Sequence, residues 1–140
     1  MAENYRLLDH TGDIGMEVWG PTRESLLQNA AHALTDILVD ASTVGAREKL
    51  RFEIQADSPE ALLVKFLQEL LFQFDARGRI FSDFSVKFLG PNAVECLAEG
   101  ETLERERHRF KTELKAVTYH HLRIWRSSDG MWWARVIFDV

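Results

Sequence analysis

The chain has 140 residues, 46% of them hydrophobic and 28% charged, enough for one domain with its own core and unlike a disordered or fibrous composition. Its 17 Lys and Arg against 22 Asp and Glu leave a net charge of -5, so strong direct nucleic-acid binding is not expected. No apolar run reaches the ~20 residues of a membrane span, Met1-Ala2-Glu3-Asn4 has no secretory-signal pattern, and the lone Cys96 excludes an internal disulfide. The expectation is a soluble cytoplasmic protein with no membrane contact.

Tyr5-Arg6-Leu7-Leu8 and Met16-Glu17-Val18-Trp19 read as short strands on either side of the loop Asp9 to Gly15, whose glycines at 12 and 15 permit unusual backbone angles. A helix follows, with Pro21 or Thr22 at its start, Glu24 near its positive end, and Leu26, Leu27, Ala30, Leu34, Ile37 and Leu38 at helical spacing. Leu50, Phe52, Ile54 and Ala56 alternate with Arg51, Glu53 and Gln55, the pattern of a strand with one wet face. A second helix opens on Ser58 as cap with Pro59 in its first turn, carries an apolar face from Leu62 to Phe74, and meets a stop at Gly78.

The remainder reads mostly as strand. Phe84, Val86 and Phe88 alternate, as do Val94, Cys96 and Ala98, and further candidates are Leu114 to Tyr119, Leu122 to Trp125 and Trp132 to Val140. Ser127-Ser128-Asp129-Gly130 is a hairpin turn between the last two. Glu101 to Lys111 carries dense charge of both signs and fits a loop, a ragged strand or a short helix. The sum is a single α+β domain over residues 1–140, a mainly antiparallel sheet structure packed against two α-helices.

Three groups of residues have chemistry to offer. Asp9, His10 and Asp13 share the first loop, where they suit metal ligation or acid/base work, or simply hydrogen bonds to their own backbone. The closing run Ile137-Phe138-Asp139-Val140 is apolar where most chain ends are polar, and it puts the Asp139 carboxylate within one residue of the terminal carboxylate of Val140. Two such charges on a fixed strand call for a cation, either Arg135 four residues back or a metal, and Asp13 would complete an all-oxygen set for calcium or magnesium. The third group is Glu113 to His121. Read as a strand, it sets Lys115 beside apolar neighbours, as an aggregation-limiting edge lysine or one reaching toward carboxylates, and turns His120 and His121 to opposite faces. Trp132 and Trp133 likewise face opposite ways, leaving one as a candidate contact residue. No zinc spacing, nucleophile elbow or phosphate-cradling glycine loop is present.

Together these segments resemble the archease family. The resemblance rests on Asp9-His10-Thr11-Gly12-Asp13-Ile14-Gly15, on Leu114-Lys115-Ala116-Val117-Thr118-Tyr119-His120 and on the closing Val136-Ile137-Phe138-Asp139-Val140. The runs Leu26 to Asp40 and Leu62 to Phe74 also fit, and Gly12 departs from the family, which more often has alanine there. The resemblance implies an accessory protein without catalytic activity of its own, one that activates RtcB, the GTP-dependent ligase of tRNA splicing and RNA repair. It does so by promoting guanylylation of the ligase and multiple turnover, with contact to tRNA or other RNA only through the ligase. By position, the family's metal site falls on Asp13, Asp139 and Val140, usually with calcium, magnesium or manganese being possible. Lys115 matches a lysine implicated in the stimulation, and Asp9, His10 and His120 are secondary candidates. The competing class is an independent metal-dependent hydrolase of phosphoesters or nucleotides using Asp13, Asp139 and His10, and a third is a general chaperone or RNA-binding module.

Overall fold

The structure is a computed structural model that describes residues 4–140 except Thr11, and all but the side chains of Asp9 and His10. Strand β1 (Tyr5–His10) turns into β2 (Asp13–Gly20), which leads into helix α1 (Arg23–Leu38). A short 3-10 turn (Ala41–Thr43) precedes β3 (Glu48–Gln55), helix α2 (Pro59–Arg77), β4 (Arg79–Gly90) and β5 (Ala93–Thr102). The chain closes with β6 (Ala116–Val117), β7 (Arg123–Arg126) and β8 (Trp132–Asp139).

These strands form two antiparallel sheets. The larger runs β1-β2-β8-β6, with β7 also on the free side of β8; the smaller runs β3-β5-β4. Both helices pack against both sheets, so a single core is shared. On the larger sheet Met16, Val18, Ala134, Val136 and Phe138 face the helices and are fully buried, while the alternate residues point outward. Burying a large apolar side chain is worth roughly 2 kcal/mol, and Phe66, Phe138, Met16 and Leu34 are among the largest enclosed completely. No helix among the described residues is long and apolar enough to cross a membrane.

The helix boundaries follow local chemistry. Thr22 caps α1 by accepting from the Ser25 N–H, and Ser25 returns the bond to the Thr22 backbone. Ser58 caps α2 at the Ala61 N–H, Pro59 occupies the first turn, and Gly78 ends the helix at φ 61, a left-handed angle that glycine adopts without strain. No glycine ends α1. Its last carbonyls are taken instead by the charged segment after β5, which is neither strand nor helix but a strap across the helix end. The strap's Lys111 N–H donates to Leu38 O at 2.9 Å, and Thr112 N–H donates to Ile37 O at 3.1 Å. The Asp40 N–H donates in turn to Arg109 O at 2.7 Å.

Glu101 anchors that strap. Its carboxylate is buried and accepts from Gly45 N–H at 2.6 Å and Arg107 Nη2 at 2.6 Å, and lies 2.9 Å from His108 Nε2. His108 accepts the Glu104 N–H at Nδ1, 2.9 Å away, so the neutral ring carries its proton on Nε2 and donates to Glu101. Burial alone would raise the Glu101 pKa, but the Gly45 and His108 hydrogen bonds and the Arg107 charge outweigh it and hold the group at about 2.

One expected strand is largely absent. Only Ala116 and Val117 of the expected Leu114 to Tyr119 run pair with β8, because the strap delivers the chain to the sheet late and it turns away at once.

Candidate functional site

The two carboxylates singled out in the sequence stand next to each other. In the β2–β8 pairing Asp13 lies directly opposite Asp139, and on the far side of β8 Asp139 lies opposite Ala116. Opposite residues of an antiparallel pair have Cβ atoms roughly 5 Å apart on one face. The tight turn between His10 and Asp13 creates this arrangement, with Gly12 at φ +78. That angle gives Gly12 a positive reason to be glycine, since any L side chain there is strained. Behind the pair, Gly15 lets the strands close: a Cβ on it would stand 2.8 Å from Ile137 Cδ1 and 3.3 Å from Leu8 Cβ.

Lys115 arrives from the other edge. Its N–H donates to Asp139 O at 2.8 Å, which fixes its backbone against the last residues of β8 while its side chain is exposed. Asp139 and Val140 are exposed as well, and Asp13 is half-buried. His120 does not sit on a strand. Its N–H donates to Thr118 Oγ1 at 3.2 Å, the chain turns from Tyr119 to Leu122, and His121 takes φ 53. The two imidazoles therefore lie beside each other, centroids 4.0 Å apart, instead of on opposite faces as strand alternation had required. The side chains of Asp9 and His10, and all of Thr11, lie outside the described residues.

Arg135, one of the cations spaced to answer Asp139, is engaged elsewhere. It donates to Glu17 Oε2 through Nη2 at 2.8 Å and Nε at 3.3 Å. From β1, Arg6 donates to Glu17 Oε1 through Nε at 2.7 Å and through Nη2. Bonds from Arg135 lower the Glu17 pKa against the opposing effect of burial, and Arg6 adds to the lowering. Glu17 was not legible as special, because an outward glutamate on a strand ordinarily meets water. The only hint was an acid with an arginine at strand parity on each prospective neighbour.

The donor set at Asp13 and Asp139 is all oxygen, which suits a hard cation such as calcium. It is also incomplete. Among the described residues no three His, Cys, Asp or Glu side chains converge in a way that would hold a metal ion. A calcium ion takes six to eight oxygens, so beyond the two side chains and Val140 the rest would come from water or from a partner. The residues fit a shared or solvent-completed cation site better than a closed structural one.

Comparison with known proteins agrees with this layout. The model of the Archease protein family (MTH1598/TM1083) matches residues 5–140. The protein archease of Pyrococcus furiosus is 36% identical over 135 residues, covering 94% of this chain and 95% of its own length. That of Methanopyrus kandleri is 38% identical over 136 residues, covering 95% and 96%. Among solved structures, the solution structure of Methanobacterium thermoautotrophicum protein 1598 superimposes with a TM-score of 0.82 at 31% identity, over 99% of this chain and 100% of that one. With a family model spanning nearly the whole chain and a shared fold at this identity, the protein belongs to the archease family.

Proposed function

We propose that this protein is a non-catalytic activator of an RtcB-type RNA ligase in the cytoplasm, promoting guanylylation of the ligase and its repeated turnover in tRNA splicing and RNA repair. The observation that carries the reading is the direct opposition of Asp13 and Asp139, with Lys115 hydrogen-bonded to the same residue. Asp13, Asp139 and the carboxylate of Val140 would hold a divalent cation, calcium by preference, with magnesium or manganese as alternatives. When bound, such an ion supplies positive charge for nucleotide phosphates.

The chain's own residues supply position. Strands β2 and β8 hold the two carboxylates on a rigid sheet, so their spacing does not have to be organised when the partner arrives. The incomplete oxygen set leaves room for groups of a second protein. Lys115 adds a flexible cation at the same edge, able to offset the carboxylates or meet a phosphate. Positioning and charge are the main contributions a protein makes to phosphoryl and nucleotidyl transfer, so a helper with no catalytic group of its own can raise the rate.

The test is a guanylylation time course of the RtcB-type ligase with wild-type protein and with Asp139→Ala and Lys115→Ala, each verified as folded by circular dichroism. Stimulation should fall by at least about tenfold with Asp139→Ala, the loss of one charge-stabilising group at a reacting centre. Full stimulation by both variants, or none by the wild type, would end the proposal.

A further inference from the structure

The two sheets of this protein have very different outer faces. On the smaller sheet the outward residues are mostly charged or polar around Leu97, and several are paired: Arg51 Nη2 lies 2.6 Å from Glu95 Oε2, and Lys49 Nζ 3.9 Å from Glu99 Oε1. The larger sheet shows something else. Trp19, Trp133 and Trp125 stand in one row across β2, β8 and β7, with centroids 4.9 Å and 5.8 Å apart and the latter pair within 13° of parallel. The next row holds Arg6, Glu17, Arg135 and Arg123, and the Arg123 guanidinium lies 4.6 Å from the centre of the Trp125 ring.

Both helices pack on the other side of this sheet, against Met16, Val18, Ala134 and Val136, while on the outer face Glu17 and Ile137 are buried as well. The tryptophans are half-buried, not enclosed, and Arg6 and Arg123 are exposed. Two guanidiniums, those of Arg6 and Arg135, share the buried Glu17 carboxylate, and Arg123 stands beside them in the same row, with Asp129 at the hairpin rim, on a chain whose overall charge is -5. A contiguous aromatic patch is unusual on a solvated surface. Tryptophan beside arginine is the composition of protein-binding hot spots.

The face also has direction. Asp139 is six residues along β8 from Trp133 on the same outward parity, so the carboxylate pair lies about 20 Å from the tryptophan row. One end of the face is cationic and aromatic, the other anionic. A single-stranded nucleic acid laid along these strands would carry its phosphates onto the Asp13 and Asp139 carboxylates. A protein surface with an acidic patch at one end meets no such conflict, and opposite charges at the two ends allow it only one orientation.

We propose that the outer face of the larger sheet, centred on Trp125, Trp133 and Arg123, is a docking surface for an acidic patch on a partner protein. Docking there sets the carboxylate pair against the partner's reaction centre. This rests on the accessory role proposed above and identifies the surface through which that role is exercised.

The test measures association of the full-length protein with the RtcB-type ligase by biolayer interferometry, alongside guanylylation. The variants are Arg123→Glu and Trp125→Ala, with Asp139→Ala as the reference for lost stimulation. Both face variants should weaken association by about tenfold or more, as truncation at a hot spot does, and restore stimulation when added at saturating concentration. Wild-type association should slow as salt rises, and that of Arg123→Glu should respond less. Arg123 is exposed, so its variant carries the test if Trp125→Ala fails to fold. If the wild type binds and stimulates but both face variants bind equally well, this inference alone is wrong. If the face variants lose affinity for a short single-stranded RNA while keeping it for the ligase, the face is a nucleic-acid surface and the inference is again overturned. If the wild type does not bind the ligase at all, both proposals fall together.

Discussion

Replacing Glu101 with alanine tests whether the charged strap is pinned by its buried carboxylate. The carboxylate is acceptor to the Gly45 N–H and the His108 Nε2–H and partner to Arg107, with Arg47 Nε 3.5 Å away. Truncation leaves the His108 N–H, on a side chain with no exposure, and the Gly45 N–H without an acceptor. An orphaned buried donor costs about 1–3 kcal/mol. Arg47 and Arg107 retain partial access to water, so their ion pairs add little. The expected loss is about 3 kcal/mol, or about 10 °C of melting temperature for a chain of this size. Glu101→Gln keeps an acceptor oxygen and should lose roughly half as much.

Acid provides the second arm of the experiment. The folded-state pKa of Glu101 is about 2 against an ordinary 4.5, so between those values the unfolded chain binds more protons than the folded one. The group's contribution is therefore complete above pH 4.5 and is lost as pH falls from there toward 2. Wild type should lose stability over that window, and Glu101→Gln should lose less over the same range. Thermal melts by circular dichroism at neutral pH and across the acid range check both arms. A Glu101→Ala protein melting within about 2 °C of wild type, or matching its acid dependence, would refute the assignment of the strap to this carboxylate.

Other expectations concern the carboxylate pair and the close-packed positions. Millimolar calcium should raise the wild-type melting temperature, with about 2.7 kcal/mol of stabilisation at a hundredfold excess over the dissociation constant, and chelator should reverse it. Asp139→Asn should abolish the shift; equal shifts in the two proteins would remove the pair as a cation site. Gly100→Ala puts a Cβ 1.9 Å from the Ile80 carbonyl oxygen, a backbone atom that cannot step aside, so it should cost about 3 kcal/mol or prevent folding, read by urea denaturation. Gly12→Ala, strained at φ +78 but with open space around it, should cost only about 1 kcal/mol. The Cys96 thiol is fully buried and burial pushes it up to about 12, so iodoacetamide at pH 8 should label it only after unfolding.

The sequence by itself determined the elements whose cause is local. Thr22, Ser58, Pro59 and Gly78 act on their immediate neighbours, and period-2 and period-3.6 patterns place β3, β5, β8 and both helices without reference to anything distant. The glycine loop and the acidic closing strand could be grouped from their oxygen donors and from the resemblance, but nothing local fixes residues 13 and 139 as neighbours. Tertiary structure decided that pairing, and with it the opposition of two like charges. It also decided what spacing had misled about: Arg135 turns to Glu17 because the β2–β8 register sets the two directly opposite each other, whereas Asp139 lies four residues further along the strand. The strap after β5 took its conformation from the end of α1 and from the buried pairing of its His108 with Glu101, not from any periodic pattern along its own sequence. His120 and His121 lost their alternation because a strand keeps its period only while a neighbour pairs with it, and pairing stops at Val117. Backbone propensity acts over a few residues and can be read along the chain; charge pairing, strand partners and burial act through space, and only the folded chain settles them.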